Sequence, residues 1–161
     1  MTIQQALDSW PEPEADWEAF TLPHSIGDGR PEFLGEGDQR KIVTRFFKDR
    51  RDASLQGHVW FSEDCFGPPG HVHGGISAYV LDEALGCTTW MNKYHCVAIE
   101  LTINFYLMTP VNRVLGLKAG IERVENDLVH LHAEILSTDE VFTGARGLFK
   151  IIEPDRFMPN K

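Results

Sequence analysis

Between residues 98 and 107 apolar and polar positions alternate without interruption. Ile99, Leu101, Ile103, Phe105 and Leu107 stand on one side, and Ala98, Glu100, Thr102, Asn104 and Tyr106 on the other. A period of two sends successive side chains to opposite faces and predicts a strand with one apolar face. Residues 42–48 and 55–61, rich in β-branched and aromatic side chains, are predicted strands as well. Alternation returns over residues 128–136, where Val129, Leu131, Ala133 and Ile135 form the apolar face. Residues 114–124, loosened by Gly116 and Gly120, and residues 141–152 complete the set. Glu125-Asn126-Asp127 reads as a hairpin turn and residues 137–140 as a second turn. Residues 76–91 follow another period. Ile76, Val80, Ala84, Cys87 and Met91 recur at spacings of four, four, three and four, with Tyr79, Leu81, Leu85 and Trp90 filling much of the remainder. A helix apolar on most sides is a buried helix.

The predicted order is two strands, one buried helix, then four strands joined largely by hairpins. Short connections imply antiparallel pairing. A flat sheet cannot bury one long helix, so the sheet must curl around it, and the face left over invites a partner. The expected class is α+β: a curled antiparallel sheet of about five to six strands wrapped around one long central helix. Residues 1–39 read as an N-terminal extension and residues 40–161 as the domain proper. Pro11, Pro13, Pro23 and Pro31 punctuate the extension, and Gly27, Gly29, Gly35 and Gly37 loosen its second half. Trp10, Trp17 and Phe20 offer apolar side chains to dock it, and residues 3–10 are a predicted short helix.

The chain has 161 residues, 42% of them hydrophobic, which is enough for one domain with its own core. A formal net charge of −9 does not suit a broad phosphate-binding surface, so no nucleic-acid partner is expected. The first twenty residues lack a basic start and an apolar run, and no stretch reaches membrane-spanning length. Three scattered cysteines fit reduced thiols better than a disulfide framework, and the expected compartment is the cytoplasm, without a membrane partner.

Candidate chemistry gathers in Gly67-Pro68-Pro69-Gly70-His71-Val72-His73-Gly74-Gly75, followed seven residues later by Asp82. Glycines at a helix start leave bare backbone N–H groups, which favour an oxyanion or a polarised carbonyl. An acid inside an otherwise apolar helix is costly without a purpose. Together they point to acyl transfer, with an electrophile holder and a base. Gly75 and Asp82 project from nearly the same helix face, roughly 10 Å apart along the axis. A base must come within about 3 Å of the water it activates. One chain cannot easily supply both groups, whereas a twofold copy with an antiparallel helix brings Gly75 of one to Asp82 of the other. The site is therefore predicted to be shared across a homodimer interface.

Competing readings are plainer. Glycines can serve only a tight turn. Glu83 reads as structural or as an interface ion pair. His71 with His73, and His130 with His132, form His-x-His pairs, but spacing places no third ligand, and no metal site is expected. Cys65 precedes the motif and reads as a packed thiol rather than a nucleophile. Tyr79, Trp90, Met91 and Phe105 are candidates to line an apolar substrate channel, and equally candidates for core or dimer packing.

The element order and the loop-helix motif resemble the hotdog fold, and more narrowly the His-Gly-Gly acyl-CoA thioesterases of the phenylacetate-pathway type. The resemblance covers roughly residues 41–153, and its specific core runs from Pro69-Gly70-His71-Val72-His73-Gly74-Gly75 through Leu81-Asp82-Glu83-Ala84. It implies hydrolysis of an acyl-CoA or other acyl thioester, with coenzyme A as part of the substrate and no further cofactor. It implies Asp82 as general base or nucleophile and the N–H of Gly74 or Gly75 as oxyanion donor. His73 shapes the loop or hydrogen-bonds near the carbonyl. The implied assembly is a homodimer or a dimer of dimers, that is, a homotetramer. One departure stands out: some relatives carry a threonine or serine that helps position the water where this chain has Ala98. Thr88 and Thr89 at the helix end are the nearest substitutes. Arg113, Lys118, Arg123 and Arg146 are candidate partners for coenzyme A phosphates. Two alternatives share the fold: a non-catalytic module binding an acyl thioester or small ligand, and an enoyl-CoA hydratase or dehydratase.

Overall fold

A computed structural model describes residues 2–20 and 41–157. Pro23, Pro31, Gly27, Gly29, Gly35, Gly37 and the expected boundary near residue 39 lie outside the described residues. Chain order is α1 (Ile3–Asp8), β1 (Trp17–Ala19), β2 (Ile42–Asp49), β3 (Leu55–Phe61), α2 (Gly74–Met91), β4 (Cys96–Phe105), β5 (Val114–Glu125), β6 (Leu128–Leu136) and β7 (Val141–Ile151). The strands form one seven-stranded antiparallel sheet, ordered β1-β2-β3-β5-β6-β7-β4. It has more strands than expected because β1, three residues within the N-terminal stretch, pairs with β2.

The sheet curls around α2. Val129, Leu131, Ala133 and Ile135 of β6 are fully buried, and so are Leu55, Val59, Leu115 and Leu117 of β3 and β5. They share one cluster with Val80, Leu81, Ala84, Leu85 and Cys87 of the helix. At about 25 cal/mol per Å², each of the buried Val, Leu and Ile side chains contributes roughly 1.5–3 kcal/mol. Two glycines permit the close approach. A Cβ at Gly57 would run into the Arg45 carbonyl oxygen of β2, and one at Gly147 would meet Leu85 of α2 at 2.9 Å.

The N-terminal stretch docks on the other face of the sheet. A capping box starts α1, with the Thr2 hydroxyl accepting from the Gln5 N–H and the Gln5 side chain accepting from the Thr2 N–H. Ala6 and Trp10 pack with Val43 and Trp60 in a second small core. The Arg45 guanidinium lies 5.0 Å from the Trp10 ring centroid.

β4 corrects one expectation. The pairing register shifts between Ala98 and Glu100, leaving Ile99 as a bulge. Ala98 sits opposite Phe149, and Leu101 opposite Gly147. Residues directly opposite in an antiparallel pair share a face. Ala98 therefore stands with Leu101, Ile103 and Phe105, not with Glu100, Thr102 and Asn104 as strict alternation had it. An extra residue in a strand carries no signal in the hydrophobic pattern.

Candidate active site

The loop before α2 is fastened from both sides. The Gly67 N–H donates to the His71 carbonyl at 2.8 Å, and the Val72 N–H donates to the Thr109 carbonyl at 2.8 Å. The His73 N–H donates to the Cys65 carbonyl at 2.8 Å. Gly70 turns with φ of +74°, and a Cβ at Gly67 would lie 2.9 Å from the His73 Cα, so both positions require glycine. The loop delivers His73, extended at φ −63° and ψ 133°, as the N-cap of α2.

The amides at the helix start have distinct fates. The Gly75 N–H donates to His73 Nδ1 at 3.0 Å, and the Ile76 N–H donates to the His73 carbonyl at 2.9 Å. His73 thus carries its neutral-form proton on Nε2. No acceptor among the described residues meets the Gly74 N–H. A Cβ at Gly74 would lie 3.1 Å from the Phe105 ring, so the ring packs against the first residue of the helix.

Asp82 is half-buried and borders an open depression of about 420 Å³, together with Ala78, Tyr79, Ala98, Ile99, Glu100 and Leu101. Burial alone pushes its carboxyl above the usual carboxylate range. Burial, reinforced by the Asp82 charge, raises Glu83 too. The Tyr79 phenol is raised by burial and by the charges of Glu83, Asp82 and Cys87.

The structure thus brings the expected residues together in pairs. Tyr79 and Asp82 share the depression, and Gly74 and Phe105 meet at the helix start. Trp90 lies at the other end of α2, its ring 4.5 Å from that of His95. Because α2 runs unbroken from Gly74 to Met91, the separation along the axis between the glycines and Asp82 persists within one protomer. Ala78 of α2 and Glu100 of β4 also line the depression, and neither carried a signal in the sequence pattern. The remaining candidates are inert or dispersed. Cys65 is buried, its thiol donates to the Lys41 carbonyl at 3.1 Å, and burial raises its pKa. Among the described residues no three His, Cys, Asp or Glu side chains form a group fit for a metal ion. Arg113 and Lys118 are exposed, Arg123 lies 3.7 Å from Glu125, and Arg146 lies 3.7 Å from Glu122. No helix among the described residues is long and apolar enough to cross a membrane.

Residues 69–142, the segment that holds most of the loop, α2 and β4–β6, match the thioesterase superfamily. The fold is that of the hotdog thioesterases of the PaaI type. The PaaI protein of E. coli, from the phenylacetic acid degradation operon, superposes with a TM-score of 0.64 at 17% identity, over 79% of this chain and 86% of that one. A hypothetical thioesterase from Streptococcus pneumoniae, solved with coenzyme A, gives a TM-score of 0.62 at 14% identity, over 68% of this chain and 88% of that one. The same protein has been solved with a threonine, and separately with an aspartate, replaced by alanine. Among curated proteins, the acyl-coenzyme A thioesterase THEM4 of Bos taurus is 30% identical over 92 residues, which are 56% of this chain. The match spans 38% of the length of that relative.

Proposed function

We propose that this chain is an acyl-CoA thioesterase acting as a homodimer, with each site built from Asp82 of one protomer and Gly74 of the partner subunit. The observation that carries the reading is the raised, half-buried Asp82 in a depression whose far wall is the uncovered strand β4. Ile99 is 53% exposed and Phe105 58% exposed on that strand. A long apolar edge is a template for a second chain. An antiparallel copy closes the gap of roughly 10 Å that separates base and amide within one protomer.

In this arrangement the Gly74 N–H, left open while His73 occupies the Gly75 N–H, holds the thioester carbonyl oxygen. Asp82 takes a proton from water as the water oxygen bonds to the carbonyl carbon. The oxyanion then collapses, the C–S bond breaks, and the thiolate recovers the proton from Asp82. A raised carboxyl pKa makes a stronger base, and a fixed amide stabilises the developing charge. The coenzyme A in the Streptococcus structure supports this substrate class. So does a spacing: the aspartate and threonine replaced in that protein lie as far apart in sequence as Asp82 and Ala98 do here.

The test is a panel of acyl-CoAs with thiol detection, repeated with Asp82→Asn. We expect turnover on at least one acyl-CoA and a loss of about 10²-fold or more in the variant. Full activity in Asp82→Asn removes Asp82 from the mechanism. Tight binding without turnover favours the non-catalytic alternative.

A further inference from the structure

A base does not by itself aim a water. The attacking molecule gives one proton to the carboxylate, and its second hydrogen must be held so that the lone pair points at the carbonyl. Ordered waters in such sites typically make about three hydrogen bonds. The depression beside Asp82 supplies few partners. Ala78, Ala98, Ile99 and Leu101 offer no polar side-chain atom, which leaves Tyr79 and Glu100. Glu100 sits opposite Leu148, on the face of β4 turned away from α2, and is exposed. Tyr79 lies one turn before Asp82, and residues three apart share a helix face. Its phenol is half-buried, and burial, then the Glu83 and Asp82 charges, raise its pKa.

We propose that Tyr79 is the water-positioning residue of this site, its phenol oxygen accepting the second O–H of the water whose first proton passes to Asp82. This rests on the thioesterase reading and deepens it. Tyr79 stands in for the side-chain hydroxyl that Ala98 lacks, from the helix side of the depression rather than the strand side. It exchanges no proton, so the balance of the reaction is unchanged: one O–C bond forms, one C–S bond breaks, and the proton travels from water to Asp82 to thiolate.

Steady-state kinetics on the full chain with the best acyl-CoA substrate, for wild type, Tyr79→Phe, Ala98→Thr, the double variant and Asp82→Asn, separate the outcomes. We expect Tyr79→Phe to lower kcat about tenfold or more with KM within about twofold. Adding Ala98→Thr should restore at least about threefold of that loss, a rescue that a packing defect would not show. Melting curves of both variants check the fold. A kcat for Tyr79→Phe within about twofold of wild type, beside an inactive Asp82→Asn, overturns the role of Tyr79 and leaves the thioesterase reading standing. A change confined to KM, or no rescue by the threonine, also overturns it. A wild-type chain that hydrolyses no acyl-CoA takes both readings down together.

Discussion

At one end of the sheet, β1 is three residues long and bound in by polar ties. The Arg51 guanidinium meets Asp49 at 2.6 Å and Glu14 at 3.0 Å, joining the N-terminal stretch to the turn after β2. Trp10 and Trp60 are buried beside it under α1. At the other end, β4 is ten residues long, and Val97, Ile99, Leu101 and Phe105 remain uncovered. Short, charged edges are how proteins end a sheet, and long apolar ones are how they continue it into another chain. The first edge is finished within the protomer. The second is unfinished, and Asp82 opens toward it. On the proposed reading, the chemistry lies at the edge that the protomer leaves open.

The sharpest way to break the contrast is to finish the second edge by mutation. Ile99→Lys puts a charge on the exposed bulge, and we expect monomers by light scattering with acyl-CoA turnover reduced about 10²-fold, since base and amide then stay apart. A dimer with full activity would mean that β4 is not the shared edge. Damage at the finished edge should act differently. Trp10→Ala should cost about 3 kcal/mol in urea unfolding, with the dimer and kcat retained.

A smaller effect tests the strain at the unfinished edge. The carboxyl of Asp82 is raised in the folded state, so the native form binds protons more tightly than the unfolded one. Stability therefore falls as pH rises through its unfolded and then its folded pKa. Asp82→Asn should consequently melt higher at neutral pH, by about 2 °C, while losing turnover. An unchanged or lower melting temperature would contradict the cost assigned to this acid. For the same reason kcat/KM should rise with pH through the raised pKa and then level off.

The smallest effect lies at the finished edge and carries the opposite sign. Hydrogen bonds from Arg51 hold the Asp49 carboxyl at about 2, below its ordinary 3.8. That contribution is complete above the unfolded value and is lost as pH falls through the folded one. The melting-temperature gap between wild type and Arg51→Ala should close between about pH 4 and pH 2. A gap that stays constant there would show that the pair does not act through ionisation.

Much of this arrangement was legible in the sequence, for physical reasons. β3 and β6 begin and end at the expected residues because alternation, turn residues and burial agree there. α2 was legible because apolar residues at helical spacing run unbroken after His73-Gly74-Gly75. The bulge at Ile99 was not, because an inserted residue leaves composition and period almost unchanged, and it alone decides that Ala98 faces the depression. β1 was missed because three residues are too few to show a period. That the Gly75 N–H is taken by the His73 imidazole was not legible, because the ring position depends on how the loop is tied to Cys65 and Thr109. Trp90 lies two turns beyond Asp82, and its place against His95 depends on the chain returning from α2 into β4.

Mixing two dead chains shows whether base and amide come from different protomers. One carries Asp82→Asn, and the other Gly74→Pro, which removes the amide at a helix position where proline is tolerated. If each site draws its base from one protomer and its amide from the other, a mixed dimer keeps one site with both groups intact. A randomly exchanged mixture should then recover roughly a quarter of wild-type turnover. If base and amide act within one protomer, every site in the mixture lacks one of them, and turnover will stay at the level of the single variants.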